Sequence, residues 1–283
     1  MTPLVVAAVL AAALTHASWN ALAHGIKDQL LAFTLVGGGG TLCGALLACF
    51  APLPDAEAWP ALLASVVLHV VYQMLLMRSF HLGEFGQMYP IARGTAPLVV
   101  TVLAAVFVHE MPDAWQLAGV LLASAGLVGV ALWGLRGKGS APDWPALLAA
   151  VCTGLAIASY TVVDGVGVRA SGTSLGYIAW LMILEGLAIP AYALATRRGA
   201  LVAQLRPIAL RGLLGGALSV VAYGLVLWAQ TRAPLAPVAA LRESSIIAGA
   251  AIGAVFFKER FGWPRIGASA LMVGGIALML HGS

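Results

Sequence analysis

The sequence predicts an all-α polytopic membrane protein whose ten transmembrane helices form two inverted five-helix repeats, and three observations lead to this fold class. Hydrophobic residues make up 61% of the 283 positions and charged residues only 9%, whereas an ordinary soluble domain has about 25% charged residues. The hydrophobic residues collect in continuous runs that are long enough to cross a bilayer as helices. The two halves of the chain also resemble each other. The low fraction of charged residues excludes a soluble enzyme.

Ten apolar runs lie between polar or Pro/Gly breaks, each about 17 to 25 residues long. The predicted spans cover residues 3–22, 30–51, 60–79, 86–108, 113–133, 145–164, 174–195, 207–228, 235–257 and 264–281. Tryptophans lie near several span edges, where an aromatic belt meets the membrane surface. Because the number of spans is even, both termini are expected on the same side of the membrane.

The second half of the chain repeats the first at an offset of 149 residues. This offset aligns Arg93 with Arg242, Glu110 with Glu259, and an Ala-Val-Phe tripeptide in one half with the same tripeptide in the other. Each half contains five spans, and because five is odd the second half must enter the membrane in the opposite sense. The counting predicts an inverted repeat with a pseudo-twofold axis in the membrane plane, an architecture typical of secondary transporters.

Two glycine-containing motifs suggest an enzyme, but neither has the required context. Residues 172–176 satisfy the G-x-S-x-G pattern, yet they join two membrane helices, whereas a nucleophile elbow follows a strand. Residues 134–140 depart from a phosphate-binding loop because Gly139 stands where Ser or Thr should follow the lysine. We interpret them as the linker between repeat 1 (residues 1–137) and repeat 2 (residues 138–283). The sequence predicts no catalytic residue, no metal and no cofactor.

Each half closes with a span, an acidic residue at a tight turn and a Gly-rich final span. The segments are Ala-Ala-Val-Phe-Val-His-Glu at 104–110 and Ala-Val-Phe-Phe-Lys-Glu at 254–259. In these features the chain resembles, over essentially its whole length, the drug/metabolite transporter superfamily of the EamA type. The resemblance implies export or exchange of amino acids, drugs, sugars or phosphorylated metabolites. It also implies a central cavity lined by the first, third, fourth, sixth, eighth and ninth spans.

A charge inside a span costs about 2.5 to 3.5 kcal/mol, so five charged side chains within the predicted spans are candidates for function. They are Arg93, Asp164, Glu185, Arg242 and Glu243. The pseudo-twofold axis can bring the two guanidinium groups together, and their planar forks suit carboxylate or phosphate groups. We therefore expect Arg93 and Arg242 to hold an anionic or zwitterionic substrate. The alternative is that each arginine pairs with a carboxylate and only holds helices together.

Polar and aromatic side chains recur at one-turn spacing along several spans, so each set shares one helix face. The predicted substrate-binding residues, besides the two arginines, are Trp19, Asn20, Tyr72, Gln73, Tyr89, Tyr160 and Tyr223. Asp164, His16 or Glu243 is predicted to carry a coupling charge, since histidine titrates near neutrality and a carboxyl group can bind a proton. For any single residue the alternative is helix-to-helix hydrogen bonding, worth about 0.6 kcal/mol.

Two further repeated features receive structural interpretations. Glu110 and Glu259 lie where spans end, which favours a capping or interfacial role. Gly249 and Gly253 form a GxxxG pair that permits close helix approach. Internal packing and dimerisation both explain this pair, and the sequence predicts no oligomeric state.

Together these patterns predict a secondary transporter, not an enzyme, that moves a small polar metabolite by alternating access. The expected partners are the substrate, the lipid bilayer of a bacterial inner membrane and, as a further hypothesis, protons. Lys and Arg are scattered over short loops, which disfavours a nucleic-acid partner. The alternatives are a lipid-carrier or head-group-modifying membrane protein, a drug exporter for amphipathic cations, and a receptor or scaffold.

The orientation in the membrane remains open between two predictions. Loops after odd-numbered spans contain ten Lys or Arg residues, and loops after even-numbered spans contain only Arg169 and Arg232. The positive-inside rule then places both termini outside, whereas the family resemblance implies that they are cytoplasmic. A reporter fused after Ser283 distinguishes the two.

Overall fold

The computed structural model describes residues 1–82, 85–136, 144–248, 252 and 263–281, with side chains for all of these except 24, 79–81, 85–90, 130–136 and 263–265. Helices are present in each of the ten predicted spans within this part of the chain, and these residues contain no strand. The helices are α1 (Pro3–His24), α2 (Gln29–Ala48), α3 (Trp59–Leu82), α4 (Phe85–Leu103), α5 (Ala114–Arg136), α6 (Trp144–Ala170), α7 (Ser174–Gly186), α8 (Ala188–Arg197), α9 (Leu201–Leu205), α10 (Ala209–Gln230), α11 (Leu235–Arg242) and α12 (Trp263–His281).

The described helices have the length and composition of membrane spans. Six helical runs among these residues are long and apolar enough to cross a bilayer, and the longest, Ser174–Gln230, includes the seventh and eighth predicted spans. Shorter apolar helices at Ala114–Gly129 and Ile266–His281 belong to the fifth and tenth. Large apolar side chains such as Leu46 and Leu121 are exposed, as expected for contact with lipid tails. The protein is an integral membrane protein, and the predicted fold class is confirmed.

The first two helices begin where their sequences supply a capping side chain. The Thr2 hydroxyl accepts a hydrogen bond from the Val5 backbone N–H at the start of α1. The Asp28 carboxylate accepts bonds from the N–H groups of Leu30 and Leu31 at the start of α2. These side chains satisfy amide groups that have no partner within the helix.

The helix pairs pack in a pattern that is unchanged when the two halves are exchanged. Helix α3 packs against α6, and α1 packs against α10; each pair joins the third span of one half to the first span of the other. Helix α2 packs against α7, and α5 packs against α12, so second spans meet and fifth spans meet. Each half is therefore held mainly by the other.

Close backbone contacts show the same pseudo-twofold axis at the level of single residues. A Cβ atom on Gly37 would lie 2.9 Å from the carbonyl oxygen of Gly186, which is its own repeat partner 149 positions later. Gly119 approaches Gly275, and Gly126 approaches Ala268. The same offset converts one of these two contacts into the other, so the inverted repeat is confirmed.

Two spans that were predicted as continuous helices are broken. The seventh span breaks at Leu187 between α7 and α8, because Pro190 has no N–H and its ring would clash with the Gly186 carbonyl group. In the ninth span α11 ends at Arg242, residues 243–244 form a turn, and helix resumes over 245–248. The N–H group of Glu243 donates to Ala240, only three residues earlier. Broken helices of this kind occur at the binding sites of transporters.

Several sequence predictions fall on residues that the structure leaves undescribed. The proposed division between residues 137 and 138 lies in the segment 137–143 and stays a prediction. Gly249, Gly253 and Glu259 are also outside the described residues, as is the side chain of Tyr89.

Candidate functional site

A cavity lies between the two halves, enclosed by α1, α2 and α3 of the first half and by α6, α7 and α10 of the second. It has a volume of about 70 Å³, enough for about five water molecules. Typical ligand pockets measure about 300 to 1,000 Å³, so this is a contracted cavity. The polar and aromatic wall residues are His16, Trp19, Phe33, His69, Tyr72, Gln73, Tyr160, Glu185, Ser219 and Tyr223.

The wall includes much of the predicted substrate-binding set. Trp19, Tyr72, Gln73, Tyr160 and Tyr223 all line the cavity, and so does His16 from the predicted coupling set. These residues come from α1, α3, α6 and α10. The one-turn spacing therefore identified side chains that the structure brings together.

The second and seventh spans also contribute to the wall, which differs from the lining implied by the family resemblance. Helix α2 supplies Phe33, Val36, Gly37 and Gly40, and α7 ends in the cavity at Met182, Glu185 and Gly186. The close approach of Gly37 to Gly186 brings these two helices together. In the described part of the fourth and ninth spans no residue lines the cavity.

Aromatic rings form a connected group on one side of the cavity. The imidazole ring of His69 stacks on Tyr160 with a centroid separation of 3.9 Å and an interplanar angle of 27°. Tyr223 meets His69 edge-on at 5.4 Å, and Tyr72 meets Tyr160 in the same manner at 5.4 Å. The four rings present π faces and edges to whatever occupies the cavity, and π faces attract cations.

On α1, a second aromatic pair faces the same cavity. Trp19 Nε1 donates a hydrogen bond to His16 Nδ1 at 3.2 Å, with the two rings edge to face. Because an indole N–H can only donate, His16 Nδ1 must be the unprotonated nitrogen of the ring. Asn20, also predicted to bind substrate, donates instead to the His16 carbonyl group at 2.8 Å. It is not part of the cavity wall.

Glu185 places a carboxylate group in the wall beside the rings. The residue is 8% exposed, and its Oε2 atom lies 3.6 Å from His69 Nδ1. Within the described part of the chain this oxygen accepts no hydrogen bond. A buried carboxylate that lacks donors is able to bind an incoming cation.

Asp164 lies directly behind the aromatic wall and is fully buried. Tyr177 donates to its Oδ1 atom at 2.9 Å, and the Tyr223 hydroxyl group donates to Oδ2. Asp164 therefore does not line the cavity itself but is joined to it through Tyr223.

The two predicted arginines meet, as the pseudo-twofold axis requires, but they meet around a carboxylate. Arg93 Nε lies 2.6 Å from Glu243 Oε2, and Arg242 Nε lies 3.8 Å from Glu243 Oε1. Arg93 also donates to Ser245 Oγ at 3.1 Å. All four residues are at most 3% exposed. Glu243 reaches both arginines because it lies at the break after α11.

This arginine cluster lies beside the cavity rather than in its wall. Neither guanidinium group lines the cavity, but the charges of Arg93 and Arg242 act on His16 and Tyr160, which do. The pairing with Glu243 is the alternative that the sequence left open. Substrate binding by the arginines stays a prediction.

Two wall residues, His69 and Glu185, were not in the predicted site. The sequence marks both as polar groups within spans, and Ser65, His69 and Gln73 recur at one-turn spacing. That spacing shows which residues share a helix face. It does not show that this face meets Glu185 of α7, because the meeting depends on how α3 and α7 cross.

A second polar cluster, here called the terminal clamp, joins the halves at the membrane face that carries both chain termini. The Arg169 guanidinium group donates to the carbonyl oxygens of Gln230 and Ala233 at 2.8 and 2.9 Å, and it pairs with Glu110 at 2.6 Å. Glu110 in turn accepts the N–H of Leu235 at 2.6 Å and so caps α11. The clamp joins residues of the two halves at this face.

Comparison with known proteins agrees with this architecture. The model of the EamA-like transporter family matches residues 3–132 and 144–281. No curated protein matches the chain. One crystal structure, titled simply as that of a protein, is similar to this chain with a TM-score of 0.75 and 19% sequence identity. The similarity covers 98% of this chain and 99% of the other, and it shows a shared fold. Because the family model matches both halves, this chain belongs to the EamA-like transporter family and is a membrane transporter of the drug/metabolite transporter superfamily.

Proposed function

We propose that this transporter moves a small zwitterionic metabolite of the amino-acid class across a bacterial inner membrane, as an exporter or exchanger that works by alternating access. The cavity supports this proposal by its position, since it lies between two inverted halves, where secondary transporters bind their substrates. Its small volume in this conformation suits a compact solute rather than a lipid. The lipid-carrier alternative would need polar groups clustered near one membrane surface.

The charges around the cavity favour a substrate that carries both signs. On one side Glu185 offers a carboxylate among aromatic rings. On the other side, Arg93, Arg242 and Glu243 together carry one net positive charge, which acts on His16 and Tyr160. A zwitterion can place its ammonium group near Glu185 and its carboxylate toward the arginine cluster. The position of Glu185 in the aromatic wall is the observation that carries the proposal.

Amphipathic cations are the second candidate substrates. The stacked rings and Glu185 also suit a cationic drug, because aromatic faces and a carboxylate both attract positive charge. A cationic drug, however, makes no use of the net positive charge of the arginine cluster. The two candidates therefore differ in whether the substrate needs an acidic group.

Ligand-dependent thermal stability of the purified protein tests the substrate class. Free L-amino acids should raise the melting temperature, whereas their methyl esters lack the carboxylate and their N-acetyl derivatives lack the ammonium group, so neither should. Stabilisation by the esters to the same extent would favour the cationic drug instead. Equal stabilisation by the N-acetyl derivatives would contradict the role of Glu185.

Substitutions then locate the two charges. Glu185→Gln should weaken amino-acid binding at least about tenfold, equivalent to about 1.4 kcal/mol, and Arg242→Gln should weaken it similarly. Glu57→Gln and Arg232→Gln are matched controls, since both side chains are exposed and far from the cavity wall. Uptake into liposomes should fall in Glu185→Gln and Arg242→Gln and should be unchanged in the two controls. If Arg242→Gln and Arg93→Gln leave uptake of every acidic solute unchanged, the arginines have no role in binding.

A further inference from the structure

We infer that His69, held between Ser65 and Glu185, is a proton-binding site whose proton is exchanged for the ammonium group of the substrate. The inference rests on the proposed function for the identity of the competing cation. The position of the proton itself rests on the contacts of His69. His69 was absent from the predicted coupling residues, which were His16, Asp164 and Glu243.

The contacts of His69 define which ring nitrogen receives the proton. Its Nδ1 atom lies 3.0 Å from the backbone carbonyl oxygen of Ser65 and 3.0 Å from the Ser65 hydroxyl oxygen. A carbonyl oxygen can only accept, so Nδ1 carries a hydrogen in the neutral ring. An additional proton must then bind to Nε2. Because His69 is part of the cavity wall, a proton can reach this ring by way of the cavity.

Glu185 stabilises the protonated ring. Its Oε2 atom lies 3.6 Å from His69 Nδ1. Behind the wall, Asp164 accepts hydrogen bonds from Tyr177 and Tyr223, and the ring of Tyr223 meets His69 edge-on. Glu185 is therefore the carboxylate with which a positive charge on His69 pairs.

The other charged cluster cannot serve in the same way. Glu243 lies between Arg93 and Arg242, whose charges are permanent, because guanidinium groups do not lose their protons in proteins. His16 Nδ1 already accepts the hydrogen bond of the Trp19 indole N–H, and no ion-pair contact to a carboxylate is described for this ring. Of the two described histidines in the cavity wall, His16 and His69, only His69 has a carboxylate neighbour.

Substrate and proton compete because both use Glu185. When His69 is protonated, its imidazolium group neutralises the Glu185 carboxylate at 3.6 Å. A substrate ammonium group that enters the aromatic wall takes over this carboxylate, and the proton leaves Nε2 for water. One positive charge replaces another, so the net charge of the site is unchanged and no bond other than N–H breaks. The step gives one proton for each substrate molecule.

The groups that face Asp164 and His69 come from every helix packed against them. Helix α6 itself supplies Tyr160, α3 supplies His69, α7 supplies Tyr177 and Glu185, and α10 supplies Tyr223. Helices α4 and α11 also pack against α6, and their charged groups are Arg93 and Arg242, with Glu243 next to them in the turn after α11. These three pair with one another. Glu57, in the turn before α3, is exposed.

Proton release on ligand binding tests the exchange directly. The full-length protein in weakly buffered detergent solution is mixed with L-amino acids or with their N-acetyl derivatives, which lack the ammonium group, and a pH dye follows the release. We expect about one proton per bound amino acid and no release with the N-acetyl derivatives. His69→Gln should abolish the release while binding persists, and His281→Gln, which removes an exposed imidazole, should leave the release unchanged. Binding of L-amino acids to the unmodified protein without release would overturn the exchange.

Infrared difference spectroscopy of the protein in liposomes tests the proton site without any ligand. Between about pH 5 and about pH 8, the window in which histidine changes charge, imidazole bands should change in the unmodified protein and lose one component in His69→Gln. Glu185→Gln should change that component because the paired carboxylate is lost, and Asp113→Asn, on the surface, should leave it unchanged. If His69 contributes no such band, or if Glu185→Gln leaves it unchanged, the proton site is wrong. A titrating His69 in a protein that binds no amino acid would support the proton site and contradict the proposed substrate class.

Discussion

At the scale of single residues, the Asp164 carboxylate depends on hydroxyl groups that belong to two other helices. Tyr177 of α7 and Tyr223 of α10 donate to its two oxygens. The residue has no exposed surface, so water cannot replace a donor that is removed. Each hydroxyl group therefore contributes to the stability of the fold as well as to the charge of the site.

Removal of the Tyr223 hydroxyl group should destabilise the protein measurably. Tyr223→Phe leaves an oxygen of Asp164 without its donor, which we expect to cost about 1 to 3 kcal/mol and to lower the thermal midpoint in detergent. Tyr192→Phe is the matched control, because Tyr192 is 55% exposed. An unchanged midpoint for Tyr223→Phe would show that this hydrogen bond does not support the fold.

The residues of the cavity wall show how far sequence reasoning reaches at this scale. Trp19, Tyr72 and Tyr160 could be predicted because one-turn spacing places polar and aromatic groups on one face of a span. The positions of the arginines could not, because the turn at Glu243 interrupts the ninth span and brings that carboxylate between them. The two-residue turn at 243–244 therefore places the Glu243 carboxylate where it pairs with both arginines beside the cavity.

At the scale of helices, the terminal clamp replaces a missing helix cap with a side chain from the other half. Helix α11 begins after Pro234, which has no side-chain group to accept the first N–H bonds. Glu110, in the loop after α4, accepts the Leu235 N–H, and Arg169 at the end of α6 holds Glu110 in place. The start of α11 is therefore held by contacts between the two halves.

Loss of the Arg169 contacts should loosen the start of α11. In Arg169→Gln we expect faster hydrogen–deuterium exchange in peptides that contain Leu235 to Arg242, because Glu110 is no longer held beside the Leu235 N–H group. Arg232→Gln is the control at the same face, where Arg232 lies over the ring of Trp228 at 5.5 Å. Equal exchange in the two variants would mean that the clamp does not hold this helix.

Most helices follow directly from the hydrophobic runs, since apolar length alone identifies a span. The interruptions did not follow as easily. The break at Leu187 is explained by Pro190, whose effect on the preceding turn is visible in the sequence. The turn at Glu243 has no proline at that point, and the buried arginines that surround Glu243 are brought there only by the tertiary fold.

At the scale of the whole molecule, the two halves are not separate bodies that touch along one surface. Helix α3 packs on α6, α1 packs on α10, and α2 crosses α7 where Gly37 meets Gly186. The repeat offset could be predicted from the sequence because Arg and Glu residues align. The crossing of the halves could not, since it depends on which faces of the helices meet.

Splitting the chain should test this mutual support. We expect residues 1–137 and residues 138–283, expressed together as separate chains, to copurify through a tag on either one and to unfold in a single thermal transition. Each half expressed alone should be degraded or aggregate, because α1, α3 and α6 would lose their main packing partners. Two halves that are stable and monomeric on their own would contradict the interlocked architecture.

The contacts that join the two halves differ between the two membrane faces. This difference affects the relative free energies of the inward-open and outward-open states of the empty carrier. If the halves were identical in sequence, symmetry would give the inward-open and outward-open states the same free energy. The terminal clamp joins Arg169 to two backbone carbonyl groups and to Glu110, whereas the described residues of the opposite face offer the half-exposed pair of Asp28 and Arg197, and such exposed pairs contribute about 0 to 1 kcal/mol. The terminal clamp therefore stabilises the state in which the two halves are joined on the side of the termini, whereas the net direction of transport is set by the gradients of the substrate and of any coupled ion.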